Sequence, residues 1–291
     1  SVSGAAASGA ASSAATAAVT AAQSKGIVLI ASQVSGGEAA GTGMVLTADG
    51  QVLTNYHVVQ GSTAVMVEIV DTGATYPATV VGHDATRDVA LLQLTGASGL
   101  ATITPDADQV ALGQALTAVG NASGGGSLVA ATGSVTGLEQ QVTVSNDNGG
   151  TETLNGVIET NAGAVPGDSG GPMFDAQGEV LGMTTAGSQT VTRSPRGGRG
   201  QANTTTSYAV PIADALSVIT QIRTGQETAT VQIGAKGYLG ISVAQASSLV
   251  VASVEAGGPS ARAGLTVGSS ITSLNGTSVS SQSDLSSVLD G

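Results

Sequence analysis

The sequence predicts an all-β fold: two antiparallel six-stranded barrels, followed by a helix and a smaller C-terminal module. Apolar residues make up 41% of the 291 residues, which is enough for a substantial core, but aromatic residues make up only 2%. The core must therefore consist of Val, Leu, Ile and Ala. β-Branched residues, together with 43 glycines, favour strands and turns over helix bundles.

Short apolar runs separated by turn residues occur in two successive sets, and each set suits one small barrel. The first barrel spans about residues 25–105, with Asp49-Gly50 as a hairpin turn, and the second spans about residues 108–210. The predicted strands are residues 26–31, 42–46, 51–54, 64–69, 75–83 and 89–94 in the first barrel, and 115–120, 127–138, 154–160, 172–174, 180–185 and 205–210 in the second.

A helix is predicted after the second barrel, through residue 222. Pro211 suits a first helical turn, and Ile212, Leu216 and Ile219 fall on one face. Residues 223–236 read as a linker, and a smaller domain follows at 237–291. Residues 1–24 contain too little large apolar surface to fold, so we expect a flexible tether with a short helix near residues 16–23.

Composition excludes several functions. The net charge of −12 argues against nucleic-acid binding, because phosphate neutralisation needs a basic surface. The absence of cysteine excludes disulfides and thiolate metal sites, and two histidines are too few for a typical zinc site. We expect no metal, no cofactor and no membrane span, since no apolar run approaches about 18–20 residues. The chain begins at Ser1, which predicts a processed fragment with any signal or anchor outside it.

The segment Gly167-Asp168-Ser169-Gly170-Gly171-Pro172 is the candidate nucleophile. Its glycines allow a sharp bend that turns a hydroxyl and neighbouring N–H groups toward one point. The alternatives are a plain Gly/Ser turn and the nucleophile elbow of α/β-hydrolases. The second runs serine, acid, histidine along the chain. Both histidines precede Ser169, so only orders that place histidine first remain.

His57 and Asp88 are the candidate partners of the serine. An apolar strand delivers His57 to its end, and Asp88 heads the strongly apolar run 89–94. A buried carboxylate needs a partner, which a histidine N–H can supply. The alternatives are an ordinary core or surface histidine and an edge aspartate that faces water. His83 lies beside turn residues and is predicted to be a solvated loop histidine.

Together these motifs resemble the HtrA (Deg) family of trypsin-fold serine proteases. The matching segments are Thr54-Asn55-Tyr56-His57-Val58-Val59, Asp88-Val89-Ala90-Leu91-Leu92, the serine segment, the hairpin from Gly41, and Ala209-Val210-Pro211-Ile212. The Asp at 168 is similar to that of secreted actinobacterial members of the PepA type. The resemblance implies two trypsin-like barrels with the site between them.

The resemblance also implies roles for particular residues. His57, Asp88 and Ser169 would form the catalytic triad, and the loop Gly167, Asp168 and Ser169 would form the oxyanion hole. The specificity pocket would consist of Gly163, Ala164, Val165, Thr184 and Ala186. Gly163 stands six residues before the serine, where a carboxylate would select Lys or Arg, so cleavage after small or medium apolar residues is expected. The loop with Arg193, Arg196 and Arg199 is either a specificity or regulatory loop or a disordered one.

The C-terminal segment resembles a PDZ domain. Tyr238, Leu239, Gly240 and Ile241 would form the loop that binds a peptide's terminal carboxylate. The run from Ala256 to Leu265 and the run from Ile271 to Gly276 are similar to later PDZ segments, and Ser281–Leu289 would be the groove helix. Ser269 departs from the usual Asp, and the chain stops at Gly291 before the closing strands. We therefore expect a truncated PDZ module with weakened ligand binding.

Two functional hypotheses follow. The first is a secreted or cell-envelope, ATP-independent serine endopeptidase that acts on unfolded or misfolded proteins in quality control and is regulated by its PDZ domain. Its partners would be polypeptide substrates and C-terminal peptides at the PDZ groove, and the resemblance admits a homotrimer. The second is a non-enzymatic peptide-binding chaperone or scaffold with a silent triad.

Overall fold

The computed structural model of the chain describes residues 16–34, 37–145, 151–191, 203–234, 239–245, 248–255 and 258–289. The arginine loop 193–199, the loop residue Tyr238 and most of the predicted tether lie outside these residues. The chain divides into two compact units, Ser1–Ile233 and Gly234–Gly291. In the described part of the chain, no helix is both long and apolar enough to cross a membrane.

The last residues of the predicted tether are ordered. Strand β1 (Thr16–Ala18) pairs with residues 129–131 of the second barrel. Helix α1 (Ala21–Ser24) follows, and Thr20 and Gln23 form its capping box. The strand had no apolar pattern to predict it, because its pairing uses backbone groups alone.

Six antiparallel strands close the first barrel through the pairing of its sixth strand with its fifth. Exposed and buried residues alternate in Ala64–Ile69, because successive side chains of a strand point to opposite faces. The elements are β2 (Ile27–Val34), β3 (Gly37–Val45), β4 (Gln51–Thr54), α2 (Tyr56–Val59), β5 (Ala64–Ile69), β6 (Thr75–Asp84) and β7 (Val89–Leu94).

The second barrel closes in the same way, through the pairing of its first two strands. All twelve predicted strands are present, and the predicted all-β fold class is confirmed. Several strands of both barrels extend beyond their predicted ends, because the small and polar residues of these extensions lack the apolar runs used to find strands. The strands are β8 (Ala115–Gly120), β9 (Val129–Ser145), β10 (Thr151–Thr160), β11 (Pro172–Phe174), β12 (Val180–Val191) and β13 (Asn203–Pro211).

A shared core joins the two barrels. Strand β7 is buried on both faces: Ala90 and Leu92 pack inside the first barrel, whereas Val89 and Leu91 pack in the shared core. Phe174 and Met183 of the second barrel contribute to that same core. The apolar run of β7 therefore reflects a strand between two cores.

Helix α3 (Ile212–Arg223) covers the shared core with Ala215, Ile219 and Ile222. Within the predicted linker, strand β14 (Val231–Ile233) pairs with β6 of the first barrel. The end of the first unit, within the predicted linker, is therefore paired with the first barrel.

The C-terminal unit has a small core around Leu249, Val279 and Leu285. Its last helix begins with a capping box: Ser281 Oγ accepts the N–H of Asp284 at 3.1 Å, and Asp284 Oδ2 accepts the N–H of Ser281 at 3.0 Å. Its elements are β15 (Ile241–Gln245), β16 (Ser248–Val254), α4 (Pro259–Arg262), β17 (Ser273–Leu274), β18 (Thr277–Ser278) and α5 (Gln282–Leu289).

Truncation of a shared-core side chain should destabilise the first unit strongly. Leu53 is fully buried, so Leu53→Ala leaves a cavity and should lower the free energy of unfolding by about 2–5 kcal/mol. Met66→Ala is the matched control, since Met66 is 44% exposed and its loss should change stability by about 0.5 kcal/mol or less. Urea unfolding followed by circular dichroism measures both, and equal losses would contradict the packing described.

Candidate active site

Asp88 lies in the turn between β6 and β7, with a positive φ of 53° that is unusual for a residue other than glycine. Two contacts hold this conformation. Asn55 Nδ2 donates to the carbonyl oxygen of Asp88 at 2.9 Å, and Asp84 Oδ1 accepts the N–H groups of Thr86 and Arg87 at 2.9 and 3.1 Å. The carboxylate of Asp88 is completely buried.

His57 faces this carboxylate. Its Nδ1 lies 2.8 Å from Asp88 Oδ2, and its backbone N–H donates to Asp88 Oδ1 at 3.0 Å. A carboxylate can only accept, so Nδ1 carries the proton and Nε2 is left as the basic nitrogen. His57 stands on the one-turn helix α2, three residues beyond the end of β4, rather than at the strand end that the sequence predicted.

The second barrel also contacts Asp88. Thr185 of β12 is buried, and its hydroxyl donates to Asp88 Oδ2. This contact was missed from the sequence, because a threonine in a strand carries no motif. The carboxylate thus receives hydrogen bonds from both barrels, which is what a buried charge requires.

Ser169 is held against the first barrel by Thr42, which the sequence reading had placed only in a hairpin. The N–H of Thr42 donates to the carbonyl oxygen of Ser169 at 2.8 Å. The hydroxyl of Thr42 donates to the carbonyl oxygen of Gly167, also at 2.8 Å. A Cβ built on Gly41 would lie 3.3 Å from the Ser169 carbonyl oxygen and 2.6 Å from Val58 Cγ1. The serine backbone therefore lies next to the helix that carries His57.

The loop also contacts the second barrel. The carbonyl oxygen of Thr184 in β12 accepts the N–H of Gly170, and the N–H of Thr184 donates to the carbonyl oxygen of Gly171, both at 2.8 Å. A side chain at residue 170 would come within 2.0 Å of the Thr42 carbonyl oxygen, and its φ is +85°. Only glycine tolerates both the contact and the conformation, which explains the glycine that follows the serine.

Two N–H groups of the loop are available for an oxyanion. The carbonyl oxygen of Pro166 accepts the N–H of Ser123 at 2.7 Å, so the N–H of Gly167 on the same trans peptide points the opposite way. The N–H groups of Gly167 and Ser169 donate to no acceptor in the described part of the protein. Asp168, the third predicted member, donates its N–H to Val165 and has none left for a ligand.

The side chain of Asp168 is buried beside the nucleophile. Its Oδ2 accepts the N–H of Val165 at 2.9 Å, whereas Oδ1 has no hydrogen-bond partner among the described residues. Burial raises the pKa of Asp168 to about 6, although the hydrogen bond from Val165 partly opposes the shift. The carboxyl therefore changes charge near neutral pH, next to the oxyanion N–H groups.

The predicted pocket residues lie on the segments that flank the serine loop. Ala164 is buried, and its N–H donates to Ser207 Oγ at 2.7 Å; Gly163 has a φ of +72°. The side chain of Thr184 is buried, and Ala186 pairs with Tyr208 across β12 and β13. The side chain of Ala186 lies outside the described residues. None of the predicted pocket residues carries a charge.

His83 is not the solvated loop histidine that the sequence predicted. It lies in β6 and is only 2% exposed, and its ring stacks on that of Tyr56 with centroids 4.0 Å apart. The prediction failed because the turn begins only at residue 85, whereas His83 and Asp84 still belong to the strand.

In the C-terminal unit, three of the four predicted carboxylate-binding residues are described. Gly240 has a φ of +66°, and its carbonyl oxygen accepts the N–H of Glu255 at 2.8 Å. The carbonyl oxygen of Leu239 accepts the N–H of Ser260 at 3.1 Å, and Ile241 begins β15. Tyr238 lies outside the described residues.

One acidic group in the described chain brings carboxylate oxygens within 4.8 Å of one another: Asp106, Asp175 and Glu179. Backbone groups already satisfy two of them. Asp106 Oδ1 accepts the N–H of Asp108, and Asp175 Oδ1 accepts those of Gln177 and Glu179. These turns account for the cluster without an ion.

Comparison with known protein families gives two matches. Residues 41–183 match the trypsin-like peptidase domain, and residues 237–291 match the PDZ domain.

Several curated relatives are similar over most of the chain. The serine protease Do-like HtrA of Lactococcus lactis (strain MG1363) is 30% identical over 282 residues, which cover 88% of this chain and 67% of the relative. The chloroplastic Protease Do-like 1 of Arabidopsis thaliana is 32% identical, and the match covers 87% of this chain and 58% of the relative. A probable periplasmic DegP-like serine endoprotease of Halomonas elongata is 32% identical, with 84% and 49% covered. The chain thus spans about half to two thirds of these relatives.

Solved structures are also similar. A protease of M. tuberculosis in its active form is 27% identical, with a TM-score of 0.56 over 69% of this chain and 82% of that one. A serine endoprotease of Yersinia pestis matches 92% of this chain and 85% of its own, with a TM-score of 0.54; at 22% identity it supports the fold alone.

The raised pKa of Asp168 predicts a pH-dependent stability. The pKa of Asp168 in the folded protein, about 6, exceeds its ordinary value of 3.8. The stabilising contribution of this carboxyl to the free energy of unfolding is therefore fully present below pH 3.8 and is lost as pH rises through about 6. The loss is on the order of 3 kcal/mol. In Asp168→Asn it should be absent, so the stability of the variant relative to wild type should rise between pH 4 and 7. Urea unfolding across this range measures it; parallel curves would contradict the burial of an unpaired carboxylate.

Proposed function

The chain belongs to the HtrA/Deg family of serine proteases, which join a trypsin-like peptidase domain to a PDZ domain, and from this premise we propose that it cleaves unfolded or misfolded proteins without ATP. It is a serine-type endopeptidase. The observation that carries the proposal is the contact between His57 Nδ1 and the buried Asp88, beside a serine loop with two available N–H groups.

In the proposed mechanism, Ser169 Oγ attacks the substrate carbonyl carbon while His57 Nε2 accepts its proton. Asp88 keeps the imidazole in the required tautomer and stabilises the imidazolium that forms. The N–H groups of Gly167 and Ser169 would bind the developing oxyanion, a contribution worth about a hundredfold to a thousandfold in rate for one donor. His57 then protonates the leaving amine, and water repeats the sequence on the acyl-enzyme.

We assign proteolysis to residues 25–222 and recruitment of peptide C-termini to the PDZ domain at 237–291, with the loop at Leu239, Gly240 and Ile241 as its carboxylate site. The positive φ of Gly240 supports this, since such a turn lets successive N–H groups converge. The relatives named as periplasmic endoproteases support a secreted or envelope location. A homotrimer remains part of the proposal and is tested by the mass of the protein in solution.

Loss of the nucleophile should abolish digestion. Ser169→Ala removes the attacking oxygen and should reduce casein cleavage by at least about a thousandfold. Ser98→Ala is the matched control, because Ser98 is exposed and its hydroxyl makes no hydrogen bond in the described residues. A fluorophosphonate probe should label wild type and Ser98→Ala but not Ser169→Ala. Absence of labelling and digestion in wild type would favour the peptide-binding alternative with a silent triad.

Substrate preference follows from the uncharged residues proposed for the pocket. Because Gly163 supplies no carboxylate and Ala164 and Val165 are apolar, the enzyme should cleave after small or medium apolar residues. A peptide library analysed by mass spectrometry measures the preference. Dominant cleavage after Arg or Lys would contradict this pocket assignment while leaving the nucleophile assignment intact.

A further inference from the structure

The segment before the C-terminal unit, residues 228–233, is packed into the first barrel. Val231 is 1% exposed and lies in the shared core with Ile222. Gln232 pairs with His83 in β6, and a Cβ built on Gly82 would lie 2.7 Å from the Gln232 carbonyl oxygen. The close approach exists because residue 82 has no side chain, so the segment is fitted to this strand.

Thr230, at the start of this seated segment, contacts a buried acid of the first barrel. Its hydroxyl donates to Asp84 Oδ2 at 3.0 Å, and Asp84 is only 1% exposed. Thr228 holds Thr230 in place, because the Thr228 hydroxyl accepts the N–H groups of Thr230 and Val231 at 3.2 and 2.9 Å. The donor to Asp84 is therefore itself fixed.

The other oxygen of Asp84 holds the turn that leads to the catalytic acid. Asp84 Oδ1 accepts three hydrogen bonds: from the N–H of Thr86 at 2.9 Å, from the hydroxyl of Thr86 at 2.7 Å and from the N–H of Arg87 at 3.1 Å. Asp88 follows at once, in its left-handed conformation. One carboxylate therefore connects the segment before the second unit to the residue that orients His57.

We propose that Thr230 is a positioning residue of the active site: acting through Asp84, it fixes the turn that presents Asp88, which makes the segment 228–233 part of the catalytic apparatus. The inference rests on the proposed function, since it matters only if Asp88 orients a working His57. Without the hydroxyl, Asp84 keeps the three hydrogen bonds at Oδ1 but loses the one at Oδ2, so its carboxylate can turn within its site. The turn then relaxes, and the Asp88 carboxylate is displaced from the imidazole.

The test uses Thr230→Val in the full chain, which keeps the shape and removes the hydroxyl. Hydrolysis of a quenched-fluorescence peptide should show kcat lower by about threefold to tenfold, the range expected for one hydrogen bond, with KM unchanged. The rate of fluorophosphonate labelling of Ser169 should fall by the same factor. Thr230→Ser, which restores the hydroxyl, should restore both rates.

Thr79→Val is the matched control. Thr79 is exposed on β6, and its hydroxyl makes no hydrogen bond in the described part of the chain, so both rates should stay at the wild-type value. Wild-type rates in Thr230→Val, or a change in KM alone, would overturn the inference and leave the protease assignment standing. A wild-type protein that neither labels nor cleaves would instead overturn the proposed function and the inference with it.

Discussion

The buried carboxylate of Asp88 is the group on which the rest of the site depends. It has no contact with solvent, and such a charge is stable only when donors surround it. The first barrel supplies the backbone N–H and the ring of His57, and the second supplies the hydroxyl of Thr185. Neither barrel alone could hold the ionised acid, so the orientation of the imidazole is a consequence of the contact between barrels.

The serine loop, like Asp88, is held by hydrogen bonds from both barrels. Thr42 of the first barrel holds the carbonyl oxygens of Gly167 and Ser169, and Thr184 of the second holds the backbone of the two glycines that follow. These contacts direct the carbonyl groups toward the two barrels, while the N–H groups of Gly167 and Ser169 donate to no acceptor in the described part of the protein. The two barrels share one apolar core, which contains no Trp and few aromatic residues. This shared core fixes the position of one barrel against the other, and with it the contacts that each makes to the serine loop.

Much of this arrangement could be predicted from the sequence, because apolar alternation locates strands and motif order selects a histidine-first triad. Thr42 and Thr185 could not be found, since a hydroxyl in a strand acquires its partner only when the barrels meet. Strands β1 and β14 are each only three residues long, which is too short for a pattern of apolar residues to be recognised. The prediction of a loop at His83 was wrong because the turn begins two residues later, at residue 85. Burial of that ring depends on Tyr56, a neighbour that is distant in the sequence.

The most direct measurement is the NMR spectrum of the imidazole N–H protons, because the chain contains only two histidines. With ¹⁵N-labelled histidine, the account predicts a strongly downfield, exchange-protected Nδ1–H signal that disappears in His57→Ala and in Asp88→Ala. If that signal is missing at neutral pH, or persists when the carboxylate of Asp88 is removed, the central interaction does not exist as described.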